Sequence, residues 1–125
     1  MKLIIQIPCY NEEKTLPFTL RDLPKSIKGI DEIETLVIND GSEDSTVEVA
    51  KKAGVSHILD LPLRSGLAEA FRRGIERSLE LGADIVVNTD GDKFKEVINK
   101  NKDNLTYPFL YDEIIIGYGR NYGYT

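Results

Sequence analysis

Four short apolar runs constrain this chain more than any other feature. Leu3-Ile4-Ile5-Gln6-Ile7, Thr35-Leu36-Val37-Ile38, His57-Ile58-Leu59 and Ile85-Val86-Val87 are too short for helices and almost continuously apolar, as strands buried on both faces are. Helical patterns lie between them. Thr15 precedes Leu16 and Pro17, a cap followed by a proline in the first turn. Ser45 and Glu48 have the spacing of a capping box for a helix through Ala53, which Gly54 ends. Leu67, Phe71, Ile75 and Leu79 recur every four residues, an apolar stripe that predicts a helix stopped at Gly82, with Ala70 and Ser78 beside it. Strand and helix alternate with short connections. The predicted fold is therefore α/β, a Rossmann-like, mainly parallel sheet with helices on both faces.

In such sheets ligands bind outside the carboxyl ends of the strands. Three of the apolar runs lead into polar clusters: Pro8 to Glu12, Asn39 to Asp44, and Asp90 to Asp92. The topology brings all three to one edge, which is the strongest physical pointer to a site. Asp90-Gly91-Asp92 offers two carboxylates in a loop, oxygen ligands that suit Mg²⁺ or Mn²⁺ holding a diphosphate. An isolated Asp-Gly is simply a turn; its place after a buried strand favours the metal. Asp40, followed by Gly41 and Ser42, can accept from a base N–H or a ribose hydroxyl, or can belong to a loop leading to the Ser45 cap. Tyr10 can stack on a base or be a half-buried core aromatic. Asn11 and Glu12 can cap the next helix or orient ligand groups. Arg64, just before Ser65-Gly66 and the long helix, can meet a phosphate or be a solvated loop arginine.

Other chemistries lack their parts. The net charge is −5, which argues against nucleic acid as a partner. Cys9 is the only cysteine, so no intrachain disulfide forms, and a thiol just after an apolar strand reads as a small buried hydrophobe. His57 is the only histidine and has no second one to share a zinc site. There is no Gly-x-Ser-x-Gly elbow, and the glycine-rich fingerprints of dinucleotide and P-loop folds are missing. No apolar run approaches the ~20 residues of a membrane span, and nothing reads as a signal peptide, so the expected address is the cytoplasm.

Taken together, Ile7-Pro8-Cys9-Tyr10-Asn11-Glu12-Glu13, Val37-Ile38-Asn39-Asp40-Gly41-Ser42 with Ser45-Thr46, Arg64-Ser65-Gly66-Leu67-Ala68-Glu69-Ala70-Phe71, and Asn88-Thr89-Asp90-Gly91-Asp92 resemble family 2 glycosyltransferases of the GT-A fold. Their order and spacing are similar to the polyprenyl-phosphate (dolichol-phosphate) mannosyl- or glucosyltransferase branch. The resemblance implies a nucleotide-sugar site on Pro8, Tyr10, Asn11, Glu12, Ile38, Asp40, Gly41, Ser42, Arg64, Gly66, Asp90, Gly91 and Asp92. Pro8, Tyr10 and Glu12 would line the nucleoside pocket and Asp40 would read base or ribose. Asp90 and Asp92 would be the carboxylates at Mg²⁺ or Mn²⁺. It further implies inverting transfer from a UDP- or GDP-sugar to an acceptor such as a lipid phosphate, at the membrane periphery. A non-catalytic nucleotide-sugar-binding fragment, or an engineered fold fragment, is the alternative.

The likeness covers residues 1–92, the expected nucleotide-sugar-binding core. Residues 93–125 form an expected divergent tail completing or extending the same domain. Lys93-Phe94-Lys95 departs from the family's polar run, five of the six tyrosines lie between Tyr107 and Tyr124, and no alanine follows Ala83. Lys95 to Lys102 fits a short helix and Glu113 to Gly117 a strand. The acceptor-binding half and its catalytic base are expected to be missing, leaving a truncated chain inactive by itself. The strand at Ile85 to Val87 would then be a sheet edge. Glu113 to Gly117 would fold back onto it or pair with a second copy, and a homo-oligomer through that edge is the expectation.

Overall fold

The computed structural model describes residues 1–89, 109–110 and 114–118. Strand β1 (Lys2–Cys9) leads to helix α1 (Leu16–Asp22), β2 (Glu32–Asp40), α2 (Thr46–Lys52), β3 (His57–Leu61), α3 (Leu67–Glu80) and β4 (Ile85–Thr89); β5 (Phe109–Leu110) and β6 (Ile114–Tyr118) follow. The six strands form one sheet in the order β3-β2-β1-β4-β6-β5. β1 is parallel to both β2 and β4, and β2 is parallel to β3. β6 is antiparallel to β4 and to β5. The four parallel strands are the four apolar runs, each longer than its run.

β1 extends beyond its apolar run, through Pro8 to Cys9. Its ladder with β4 ends at Gln6–Asn88, while its ladder with β2 runs on to Pro8–Ile38 and Cys9–Asn39. Pro8 therefore sits where β1 is paired on one side only, a place where a missing N–H is tolerated.

The sheet separates two cores. Leu3, Ile5, Ile7, Cys9, Val37, Ile85 and Val87 pack with Leu16 of α1 and Ala50 of α2. Ile4, Leu36, Ile38, Leu61 and Val86 pack with Ala70 of α3. Helices thus cover both faces, as expected.

Two sequence expectations change. The α3 seam against the sheet is Ala70, Gly74 and Ser78, all buried, whereas Leu67 is 70% exposed. The apolar stripe is rotated to the flanks because small residues let the helix lie close: a Cβ on Gly74 would stand 2.4 Å from Ile38 Cδ1 and 2.8 Å from Gln6 Nε2. The capping box is also not formed. Neither Ser45 nor Thr15 makes a side-chain cap. Asp44 instead accepts from the Thr46 N–H at 2.9 Å and from the Glu13 N–H at 3.2 Å.

The expectation of a bare β4 edge is corrected as well. β6 pairs along β4 from Ile85–Tyr118 to Thr89–Ile114 within the same chain. Fold-back is the alternative the structure takes, and self-association through β4 loses its premise.

Candidate functional site

Parallel strands carry β1, β2 and β4 to the same edge, so the loops after β1 and β2 meet there. They are tied together by side-chain to backbone bonds. The Asn11 N–H donates to Ser42 Oγ (2.9 Å), and Asn11 Oδ1 accepts from the Glu43 N–H (2.8 Å). The Glu12 N–H donates to Thr46 Oγ1 (2.9 Å). Asn11 adopts φ +52°, a left-handed conformation that asparagine tolerates better than most side chains.

The third wall is the loop between β3 and α3. It is held by Asp40, which is 4% exposed at the end of β2. Asp40 Oδ1 accepts from the Ser65 N–H (2.7 Å) and the Ser65 hydroxyl (2.9 Å), and Oδ2 accepts from the Gly66 N–H (2.9 Å). Burial pushes this carboxyl up. The hydrogen bonds from Ser65 and Gly66, with the Arg64 charge, outweigh it and hold the group below its ordinary value. Gly41 makes the approach possible. It has φ +70°, and a Cβ there would meet Arg64 N at 2.4 Å and Leu63 C at 2.7 Å.

Between these loops lies a cleft of about 390 Å³. Pro8, Tyr10, Glu12, Asp40 and Arg64 line it, five of the residues expected from sequence. Arg64 is exposed, and its guanidinium carbon lies 3.9 Å from the centroid of the Tyr10 ring. Glu12 is also exposed and accepts from the Thr15 hydroxyl. The cleft is a concave, partly apolar pocket with a few convergent polar groups, the usual form of a small-molecule site.

Other expected residues stand elsewhere. Asn11, Ser42 and Gly41 join the loops rather than line the cleft. Gly66 gives its N–H to Asp40. Ile38 is fully buried against α3, in the core beneath the site. Asp90, Gly91 and Asp92 lie outside the described residues, as does the tail's expected helix at Lys95 to Lys102. β4 runs parallel to β1 and ends at Thr89, on the same edge of the sheet as the carboxyl ends of β1 and β2.

The cleft also has walls that the sequence reading missed: Thr15, Leu16 and Thr19 from α1, Leu67 and Ala70 from α3, and Ile7 and Cys9 from β1. A four-residue spacing from Thr15 to Thr19, next to the polar cluster at Pro8 to Glu12, was the one signal for the α1 wall. Burial pushes the Cys9 thiol up to about 12, with Glu12 and Asp44 adding to the effect, so it stays protonated and is no nucleophile.

Beneath the cleft, the fully buried Gln6 is another residue the sequence did not flag. Its Nε2 donates to the Phe71 carbonyl (3.1 Å) and to Asn88 Oδ1 (2.9 Å), and its Oε1 accepts from the Ser78 hydroxyl (3.2 Å). This network locks α3 and the end of β4 to β1, directly below the site. Among the described residues no group of three or more His, Cys, Asp or Glu is placed to hold a metal ion.

Known proteins resemble the chain in both sequence and fold. The chain is 33% identical over 96 residues to the undecaprenyl-phosphate mannosyltransferase of Micrococcus luteus, spanning 74% of this chain and 38% of that enzyme. It is 32% identical over 100 residues to the dolichyl-phosphate beta-glucosyltransferase of Trichomonas vaginalis, spanning 72% of this chain and 30% of that enzyme. The fold is similar to glucosyl-3-phosphoglycerate synthase from Mycobacterium tuberculosis in complex with Mn²⁺, UDP and glucosyl-3-phosphoglycerate. That match has a TM-score of 0.55 and 29% identity, over 73% of this chain and 33% of that one. The chain thus spans well under half the length of these relatives. With residues 4–102 matching Glycosyl transferase family 2, the chain belongs to that family.

Proposed function

We propose that this chain holds the sugar donor of a family 2 glycosyltransferase, a nucleoside diphosphate sugar bound in the cleft. The observation that carries the reading is the meeting of Pro8, Tyr10, Glu12, Asp40 and Arg64 around one cleft at the carboxyl ends of the parallel strands. Tyr10 and Pro8 offer apolar surface to the base. Asp40 has one acceptor position left on Oδ2 after its three loop bonds, enough for one N–H or hydroxyl of the nucleoside. Arg64, at the start of α3, is placed to meet the diphosphate, and the positive end of the helix adds to it.

Asp90 and Asp92, on the segment that follows β4, would hold Mg²⁺ or Mn²⁺, a hard-oxygen donor set that fits either ion. When bound, the ion supplies Lewis-acid stabilisation of the departing diphosphate. The Mycobacterium tuberculosis synthase is described with Mn²⁺ and UDP, which supports this reading. The remaining step is inverting attack by an acceptor oxygen on the anomeric carbon. The lipid-phosphate enzymes among the relatives favour a polyprenyl phosphate as acceptor, met at a membrane surface. Among the described residues no helix is long and apolar enough to cross a membrane.

Calorimetry with UDP, GDP and their sugars, with and without Mn²⁺, tests the proposal. Saturable binding strengthened by Mn²⁺ is expected, and Asp92→Ala should lose the metal dependence while keeping the fold. No heat with any of these ligands from a folded sample would reject it.

A further inference from the structure

The backbone of Arg64 is held by its neighbours while its side chain reaches across the exposed surface of the cleft. Gly41 packs against its N and Cα, and Asp40 holds the N–H groups of Ser65 and Gly66 just beyond it. The side chain is exposed, and among the described residues no ion pair holds it. Its guanidinium rests on the face of the Tyr10 ring. The cation therefore occupies aromatic surface that a base would use.

We infer that Arg64 is a specificity-determining residue that makes the cleft select nucleoside diphosphates over bare nucleosides. The inference rests on the donor-site reading above. A nucleoside must displace the guanidinium from Tyr10 and gives it nothing in return. A nucleoside diphosphate also displaces it, but offers phosphate oxygens that the planar guanidinium can engage through two parallel hydrogen bonds. The same side chain thus opposes one ligand class and favours the other. Lysine would do this poorly, because it lacks both the stacking plane and the paired donors.

The sign of the mutational effect tests this. Arg64→Ala should bind uridine and guanosine about 2–5-fold more tightly, the scale of an exposed cation–π interaction that no longer has to be broken. The same variant should bind UDP or GDP about tenfold more weakly, the scale of one charge-assisted hydrogen bond to phosphate. Arg64→Lys should fall between the two proteins for both ligand classes. Titrations would be followed by NMR, with thermal unfolding showing that the exposed substitution leaves the fold intact. In the wild-type chain the Arg64 side-chain resonances, shifted by the Tyr10 ring, should move towards their unshifted values on saturation with the diphosphate. That second reading decides the matter when the nucleosides bind too weakly to titrate. Failure of both UDP and GDP to bind the wild-type chain would overturn the donor-site reading itself. Diphosphate binding with equal weakening of both ligand classes in Arg64→Ala, unchanged nucleoside affinity, or unmoved Arg64 resonances would overturn the selectivity role alone.

Discussion

The two faces of the sheet are built by different rules. Under α1 and α2 the central strands present mainly branched aliphatics, Leu3, Ile5, Ile7, Val37, Ile85 and Val87, with Cys9 and Asn39 at the carboxyl ends of β1 and β2. Under α3 the strands alternate apolar and polar layers. Lys2, Glu34 and His57 form a row at one end, Gln6, Asn88 and Ser78 a second in the middle, and Asp40 lies at the cleft. The aliphatic face is held by shape and volume, which tolerate exchange among similar residues. The α3 face is held by satisfied polar groups and a close helix, which do not. The residues that position the cleft's third wall belong to that exacting face.

Substitutions of opposite kind should separate the faces. The largest effect is expected on the aliphatic side, where Ile5→Ala empties space in the central strand and should cost about 2–5 kcal/mol in denaturant unfolding. On the α3 side, adding atoms should do the damage. Gly74→Ala places a methyl against Ile38 and Gln6 and should cost about 1–3 kcal/mol, although alanine is the better helix former. A Gly74→Ala protein as stable as wild type would show that α3 can retreat and that the faces differ less than their packing implies. Gln6→Leu is close in volume but strands the groups Gln6 satisfies, and should cost about 2 kcal/mol. In that background Ser78→Ala should be nearly silent, so a double-mutant cycle that proves additive would reject the network.

The smallest effect concerns the Lys2–Glu34–His57 row. Burial raises the Glu34 carboxyl, but hydrogen bonds from His57 and Lys2 outweigh it and hold the group below its ordinary 4.5. A depressed folded value means a contribution present above about pH 4.5 and lost as pH falls through the folded pKa. Glu34→Gln should therefore cost about 0.5–1 kcal/mol at neutral pH and flatten the acid limb of the stability profile. An acid limb identical to wild type would assign the loss to other carboxylates.

The sequence made the aliphatic face easy to read and the α3 face hard. Continuous runs such as Leu36-Val37-Ile38 identify buried strands without any knowledge of partners. The α3 stripe misled because bulky Leu67 and Phe71 advertise a core position, while the true seam uses Ala70, Gly74 and Ser78, whose value is how little they occupy. At the site, the order of strands brings Pro8, Tyr10, Glu12, Asp40 and Arg64 around one cleft. That Asn11 and Ser42 also tie the loops together was not legible, because the bond joining them spans 31 residues of chain and no local pattern records such a partner. The part Ser65 plays was hidden for the same reason: its hydroxyl matters only once Asp40 has been folded against it.

The order of the strands also sets a timetable. β1 precedes the other five strands in the chain yet lies inside the sheet, flanked by β2 and β4. Its Gln6–Asn88 partners are 82 residues apart, so one side of β1 waits for nearly all of the parallel core to emerge before it can be paired. Pairings that distant are closed late and slowly. A ribosome adding about 5–20 residues per second leaves that side of β1 open for several seconds. For this chain the hazardous interval is set by synthesis rather than by final stability, and β4 ends it.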